Sequence, residues 1–270
     1  MTSTPDEALR SELRALAERL AREAGTMALR GRRSGRALQS DTKSTATDVV
    51  TEYDRASEEL IVAGLRSARP HDALIGEEGT STPGTSGIEW LIDPIDGTTN
   101  FLYDLPGWGV SIAARSETDT EVGVVYVPTT DEMFTGARGG GAHLNGQPIR
   151  CSTTTELTTA LVATGFGYRP ERRAAQARRL EALLPRVRDL RRFGAAAPDL
   201  CYVAAGRVDA YYEEWLNAWD LAAGELIARE AGCTSGSIDG GPVRPSSALV
   251  AAPGVFDAVQ SLLAEIDATR

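Results

Sequence analysis

The sequence holds one lysine, two histidines and three cysteines among its 270 residues, and it has no long apolar run. With only His71 and His143 present, a histidine-ligated zinc or iron centre is improbable, so any bound metal must be held by carboxylates. Cys151, Cys201 and Cys233 are far apart and odd in number, which excludes a disulfide framework and leaves them as small buried hydrophobes. The longest apolar stretch, Ala248 to Phe256, contains Pro253 and Gly254 and falls far short of the roughly 20 residues a membrane span needs. Met1 to Arg14 alternate charge with small residues and lack the apolar core of a secretory signal, so a cytoplasmic location is expected.

What is present is acidic and globular. Apolar residues make up 42% and charged residues 24%, which places the chain among ordinary folded proteins rather than disordered ones. Its length suits one large domain spanning 1–270, with sub-halves of about 1–155 and 156–270. The 38 acidic residues outnumber 28 basic ones, and the net charge of -10 disfavours nucleic acid as the main partner. Arginine supplies all the basic residues but Lys43, which stands out for that reason. Nine arginines between Arg169 and Arg192 read as a solvated helix face.

Thr4-Pro5-Asp6-Glu7 forms a helix-start signal, and leucines at helical spacing follow to near Gly31. Gly31 to Ala46 has no period and reads as a mobile loop carrying Lys43. A helix is expected over Glu52–Ser67, and strands over Ala73–Ile75, Ile88–Ile92, Gly109–Ala114 and Glu121–Val127. Asn145-Gly146 marks a hairpin. This half predicts helices plus a mainly antiparallel sheet. From Ala160 onward strands and helices alternate: Leu161–Thr164, Arg172–Leu184, Ala197–Ala205, Asp209–Tyr212, Trp219–Ala231, Ala248–Ala252 and Val255–Ala268. Such alternation predicts a layered α/β half.

The informative window is Trp90-Leu91-Ile92-Asp93-Pro94-Ile95-Asp96-Gly97-Thr98-Thr99-Asn100-Phe101. A buried strand runs into two aspartates, with Pro94 fixing the chain between them, and then into a helix start whose free N–H groups suit a phosphate. Oxygen ligands of this kind suit Mg2+. Glu77-Glu78 places another carboxylate pair at a strand end, where like charges repel unless a cation lies between them. Asp220, opening the last-but-one helix, reads in isolation as a helix cap.

Taken together, Gly76-Glu77-Glu78, the Trp90–Phe101 window and Ala218-Trp219-Asp220-Leu221-Ala222-Ala223-Gly224 resemble the signatures of the inositol monophosphatase family. The likeness extends to Lys43-Ser44, to Asp48 through Asp54, to Gly165–Tyr168, to Arg191–Ala196 and to Asp209–Glu213. The resemblance implies a layered αβαβα sandwich of the inositol monophosphatase and fructose-1,6-bisphosphatase type. It also implies a Mg2+-dependent, lithium-sensitive phosphatase that releases phosphate from myo-inositol 1-phosphate, and a homodimer. By the same resemblance, Glu77, Asp93 and the Ile95 carbonyl hold a first Mg2+, and Asp93, Asp96 and Asp220 hold a second. A third, weaker ion lies near Glu77. Glu77 and Thr98, the latter held by Asp54, orient the attacking water, and the Gly97 and Thr98 N–H groups grip the phosphate. Ring recognition maps onto Asp96, Gly194, Ala195, Ala196, Glu213 and Asp220, and Lys43 and Glu78 are further candidates. The chain departs from the family pattern at Ala195, where a hydroxyl residue is common, and at Pro198.

Fructose 1,6-bisphosphate, histidinol phosphate and 3'-phosphoadenosine 5'-phosphate are alternative substrates on related scaffolds. An alternative of another class is a regulatory binding protein contacting the transcription machinery. A haloacid-dehalogenase phosphatase is rejected, because its two aspartates are separated by one residue, not by two as Asp93 and Asp96 are. Gly139-Gly140-Gly141 lacks a following Gly-Lys-Ser or Gly-Lys-Thr and reads as a strand connection rather than a nucleotide loop.

Overall fold

The computed structural model describes residues 7–34, 40–43 and 49–268. The Thr4-Pro5-Asp6 start signal and the matched segment from Ser44 to Asp48 lie outside them. The chain opens with α1 (Glu7–Arg33), β1 (Ser40–Thr42), β2 (Val49–Thr51) and α2 (Glu52–Ala68), then β3 (Ala73–Gly76), β4 (Ser81–Thr82), β5 (Glu89–Asp96) and α3 (Thr98–Leu102). Next come β6 (Gly109–Arg115), β7 (Thr120–Val127), β8 (Glu132–Ala137), β9 (Gly141–Leu144) and β10 (Gln147–Pro148). The remainder holds β11 (Leu161–Thr164), α4 (Pro170–Leu183), β12 (Asp189–Arg191), α5 (Ala196–Ala204), β13 (Ala210–Glu213), α6 (Ala218–Glu230), β14 (Thr234–Gly236), β15 (Ala248–Ala251) and α7 (Pro253–Ala268).

Four apolar interfaces stack these elements into five layers. Leu13, Leu20, Ile61 and Leu65 of α1 and α2 bury against Trp90, Ile92, Ile112 and Val124 on one face of an eight-stranded sheet ordered β10-β9-β8-β7-β6-β5-β3-β4. The other face, through Leu91, Val125 and Phe134, meets Leu200 of α5 and Ile227 of α6. Those two helices also cover Tyr211 and Val250 of a five-stranded sheet ordered β12-β11-β13-β15-β14. The far face of that sheet packs on Val255, Val259 and Leu263 of α7. This is the expected αβαβα sandwich. The first sheet is antiparallel apart from the β3–β5 pair, and the second is mixed. Asn145 and Gly146 both take positive φ, 48° and 77°, and close the β9–β10 hairpin in two residues as expected.

Several expectations need correction. Part of the presumed loop at Gly31 to Ala46 is a strand: β1 pairs antiparallel with β2, and Ser40, Asp41 and Thr42 are exposed polar residues that give no apolar signal. The short strands β4, β12 and β14 and the strand β8 also escape the pattern; β8 is buried on both faces, so it lacks polar alternation. Cys151 is only half-buried, and its thiol and that of Cys233 lie within hydrogen-bonding reach. All three cysteines are free. The arginine-rich stretch is not uniformly solvated: Arg179 is buried and bridges Glu214 and Asp267, each at 2.7 Å. Pro198 falls in the first turn of α5, where an N–H has no intrahelical partner to lose.

Candidate active site

One irregularity in β5 positions the site. Asp96 lies three positions after Asp93, so in a regular strand their side chains would point to opposite faces. The pairing with β6 runs Asp93 to Ser111 and Asp96 to Gly109, so β5 carries one extra residue there. This bulge re-aims the chain and brings both carboxylates to one cavity. The convergence is thus made within the strand. Gly97 follows at φ 89°, a left-handed conformation that reverses the chain into α3. With no side chain to cap the helix, it leaves the first N–H groups of α3 free of a side-chain partner.

Two further carboxylates are fixed by capping boxes. In α2, Asp54 accepts from the N–H of Thr51 at 2.8 Å, and its other oxygen lies 3.1 Å from the Thr98 hydroxyl. In α6, one oxygen of Asp220 accepts from the N–H of Asn217 at 2.7 Å. The isolated reading of Asp220 as an N-cap is corrected: Asn217 is the N-cap and Asp220 the reciprocal residue three positions on.

The resulting cavity measures about 370 Å³. Lys43, Glu77, Asp93, Ile95, Asp96, Gly97, Thr98, Gly194, Ala195, Ala196, Glu213 and Asp220 all line it. Of the residues singled out in the sequence, Asp54 lies behind Thr98, and Glu78 lies beside the cavity, bound to Lys43. The Lys43 ammonium reaches Glu77 at 2.8 Å and Glu78 at 2.5 Å. Its burial alone would lower its pKa, but Glu77 and Glu78 outweigh that and hold it charged. Asp93 Oδ1 accepts from the Ile95 N–H at 3.1 Å, and Asp96 accepts from the Ala197 N–H at 2.6 Å.

Burial and mutual repulsion dominate the electrostatics. Asp93 and Asp96 are pushed well above the usual carboxylate range, first by burial and then by neighbouring carboxylates, among them Glu77 and Asp220. Burial likewise raises Asp220 to about 7, Glu213 to about 7 and Asp54 to about 6. Such a set favours either protons or cations. Among the described residues no three His, Cys, Asp or Glu side chains close around one point as a finished cage. Glu77 turns to Lys43, while Asp96 and Asp220 each commit an oxygen to a backbone N–H.

These observations accord with the comparisons. A model of the inositol monophosphatase family matches residues 9–267. The chain belongs to the inositol monophosphatase family. A Nus factor SuhB of Pasteurella multocida is 45% identical over 84% of this chain and 85% of its own. An inositol-1-monophosphatase of Mycobacterium leprae is 43% identical over 93% of each. The crystal structure of the extragenic suppressor protein suhB from Bartonella henselae superposes with a TM-score of 0.89 at 35% identity, covering 93% of this chain and 98% of that one. Inositol monophosphatases are phosphatases and are generally metal-dependent.

Sequence reasoning overlooked the residues behind the site. The Tyr211 hydroxyl donates to Glu213, and a Cβ at Gly165 would fall inside the Glu213 carboxylate. Tyr211 lies in an apolar run on β13, which flags it as core but says nothing of its hydroxyl. Gly165→Ala is expected to displace Glu213 and to lower the melting temperature, which a thermal unfolding scan would check. The pairs Thr51/Asp54 and Asn217/Asp220 carry the capping-box spacing and were legible by that signal.

Proposed function

We propose that this chain is a Mg2+-dependent phosphomonoesterase acting on myo-inositol 1-phosphate. The observation that carries the reading is the convergence of Glu77, Asp93, Asp96 and Asp220 on one cavity, with Asp93, Asp96 and Asp220 raised in pKa by burial and by neighbouring carboxylates. An all-oxygen, multiply negative donor set fits hard divalent cations and fits poorly with soft ones. Glu77, Asp93 and the Ile95 carbonyl would hold one ion, and Asp93, Asp96 and Asp220 a second. Bound there, such ions supply an acidified water and positive charge at the leaving oxygen. The Lys43 contact to Glu77 identifies the competitor that a cation must displace.

The remaining roles belong to the chain's own groups. The Thr98 hydroxyl lies 3.1 Å from both Asp54 and the Ile95 carbonyl; donating its single proton to ionised Asp54 leaves its lone pairs to accept from a water. Glu77 faces the same volume and would take part in orienting that water. The Gly97 and Thr98 N–H groups would hold phosphate oxygens. Glu213 would accept from ring hydroxyls beside Gly194, Ala195 and Ala196. Glu213→Gln is expected to raise the KM for inositol 1-phosphate about tenfold, as loss of a hydrogen bond to a charged group implies, and to leave an aryl phosphate nearly unchanged. Equal effects on both substrates would remove Glu213 from substrate recognition.

The experiment for the substrate is phosphate release from inositol 1-phosphate, fructose 1,6-bisphosphate, histidinol phosphate and 3'-phosphoadenosine 5'-phosphate, each with and without Mg2+. The expected ranking by kcat/KM puts inositol 1-phosphate first, and a higher value for any other member would reassign the substrate. A second reading, a regulatory binding protein, is favoured by relatives named Nus factor and by the exposed arginines Arg173 and Arg178. Substituting Arg173 and Arg178, which lie off the cavity lining, would impair such a partner contact and spare phosphate release.

A further inference from the structure

We propose that Glu58 is a positioning residue that sets the affinity of the Glu77 side of the site for a divalent cation. The proposal rests on the reading of Glu77 as a cation ligand. Glu58 is 4% exposed and lies on α2, away from the cavity lining. Its two carboxylate oxygens are spent on one short segment: one accepts from the Glu78 N–H at 2.8 Å, the other from the Thr80 N–H at 3.0 Å. These donors flank the turn that follows β3 and carries Glu77.

The contact is fitted from both sides. A Cβ at Gly76 would fall inside the Glu58 carboxylate, so the residue before Glu77 is bare where the carboxylate presses against the chain. The Gly76 N–H donates to the Thr80 carbonyl at 2.8 Å, which closes the turn but leaves the Glu78 and Thr80 N–H groups turned toward α2. Those two half-buried donors gain from an acceptor, and a charged one makes the stronger bond. The Glu77 N–H donates to the Ile92 carbonyl at 3.1 Å, which ties the turn to β5 one residue before Asp93.

Glu58 does not act alone on its helix. Residues three and four apart share a helical face, and Asp54, Ser57 and Glu58 meet that spacing. Asp54 bonds Thr98 at 3.1 Å, the Ser57 hydroxyl donates to the Pro94 carbonyl in the bulge at 3.2 Å, and Glu58 holds the Glu77 turn. One buried face of α2 therefore references three separate chain segments that supply the site. Ile61 and Leu65, both fully buried, seat that helix on the sheet. Positional freedom gained by the Glu77 turn would appear first as weaker cation binding, because Glu77 must reach the same ion as Asp93 across two different strands.

The test is Mn2+ binding to the full chain, measured by electron paramagnetic resonance and by calorimetry, for wild type, Glu58→Ala, Glu58→Gln and Glu77→Gln. Glu58→Ala is expected to weaken binding about tenfold or more, the range for residues that support a ligand, with the activity loss recovered at saturating Mg2+. Glu58→Gln, which keeps one acceptor oxygen and the same shape, is expected to fall between Ala and wild type and carries the test if the Ala variant fails to fold. Mn2+ affinity within twofold of wild type in both Glu58 variants, with only the melting temperature lowered, would overturn the proposal. If Glu77→Gln weakens Mn2+ binding in that case, the ligand reading stands and only the positioning role falls. If Glu77→Gln binds Mn2+ as wild type does, the ligand reading itself falls.

Discussion

Asp93→Asn is expected to cut phosphate release at least about a hundredfold while making the metal-free protein more resistant to unfolding at neutral pH. The two effects share one cause. Asp93 is 2% exposed and lies among Glu77, Asp96 and Asp220, so its charge is costly until cations offset it. The carbonyl oxygen of Asn keeps the acceptor for the Ile95 N–H, so the bulge in β5 persists. Only the charge is lost. In the unfolded chain Asp93 titrates near its ordinary value of about 3.9, whereas in the folded chain its pKa is raised. Between those two values the folded state holds more protons, so stability falls as pH rises through that window. Asp220 and Glu213, raised to about 7, act in the same direction between their ordinary values and neutrality. Asn has no proton to lose, and its melting curve in EDTA should fall less steeply between pH 5 and pH 8, an interval chosen to span about the shifted values. A variant keeping more than about a tenth of the wild-type rate, or melting lower than wild type in EDTA at pH 8, would count against the role given to Asp93.

The same carboxylates show what the sequence could and could not reveal. The acidic window from Asp93 to Thr98 and the pair Glu77-Glu78 are local signals, carried by residue type and spacing, and the cavity lining contains them as expected apart from Glu78. The five-layer order followed from matched motifs and from alternation after Ala160. The bulge was illegible because it depends on which residues of β6 oppose Asp93 and Asp96, a fact of pairing. Likewise, β1 and β14 are held by neighbouring strands and not by an apolar period of their own. Glu58 is the instructive case: a glutamate inside an amphipathic helix reads as solvent-facing, and only the folded turn of Gly76 to Thr80 supplies the two N–H groups that draw it inward. Tyr211 is similar, since its ring is a core residue and its hydroxyl finds Glu213 only because β13 runs beside β11 and the bare Gly165.

Removal of divalent cations carries the other large effect. Without them, Glu77 stays with Lys43, and Asp93, Asp96 and Asp220 retain protons or repel one another, so this cluster neither holds a phosphate nor activates a water. The side chains left to act, Thr98 with Asp54, orient a water but lack the basicity to ionise it. The most direct measurement is the steady-state rate of phosphate release from myo-inositol 1-phosphate by protein stripped with EDTA, followed by titration with Mg2+. The predicted result is a rate at background in EDTA that returns in full as Mg2+ is added. Turnover in EDTA equal to that in Mg2+ would contradict the assignment of Glu77, Asp93, Asp96 and Asp220 as the centre of the reaction.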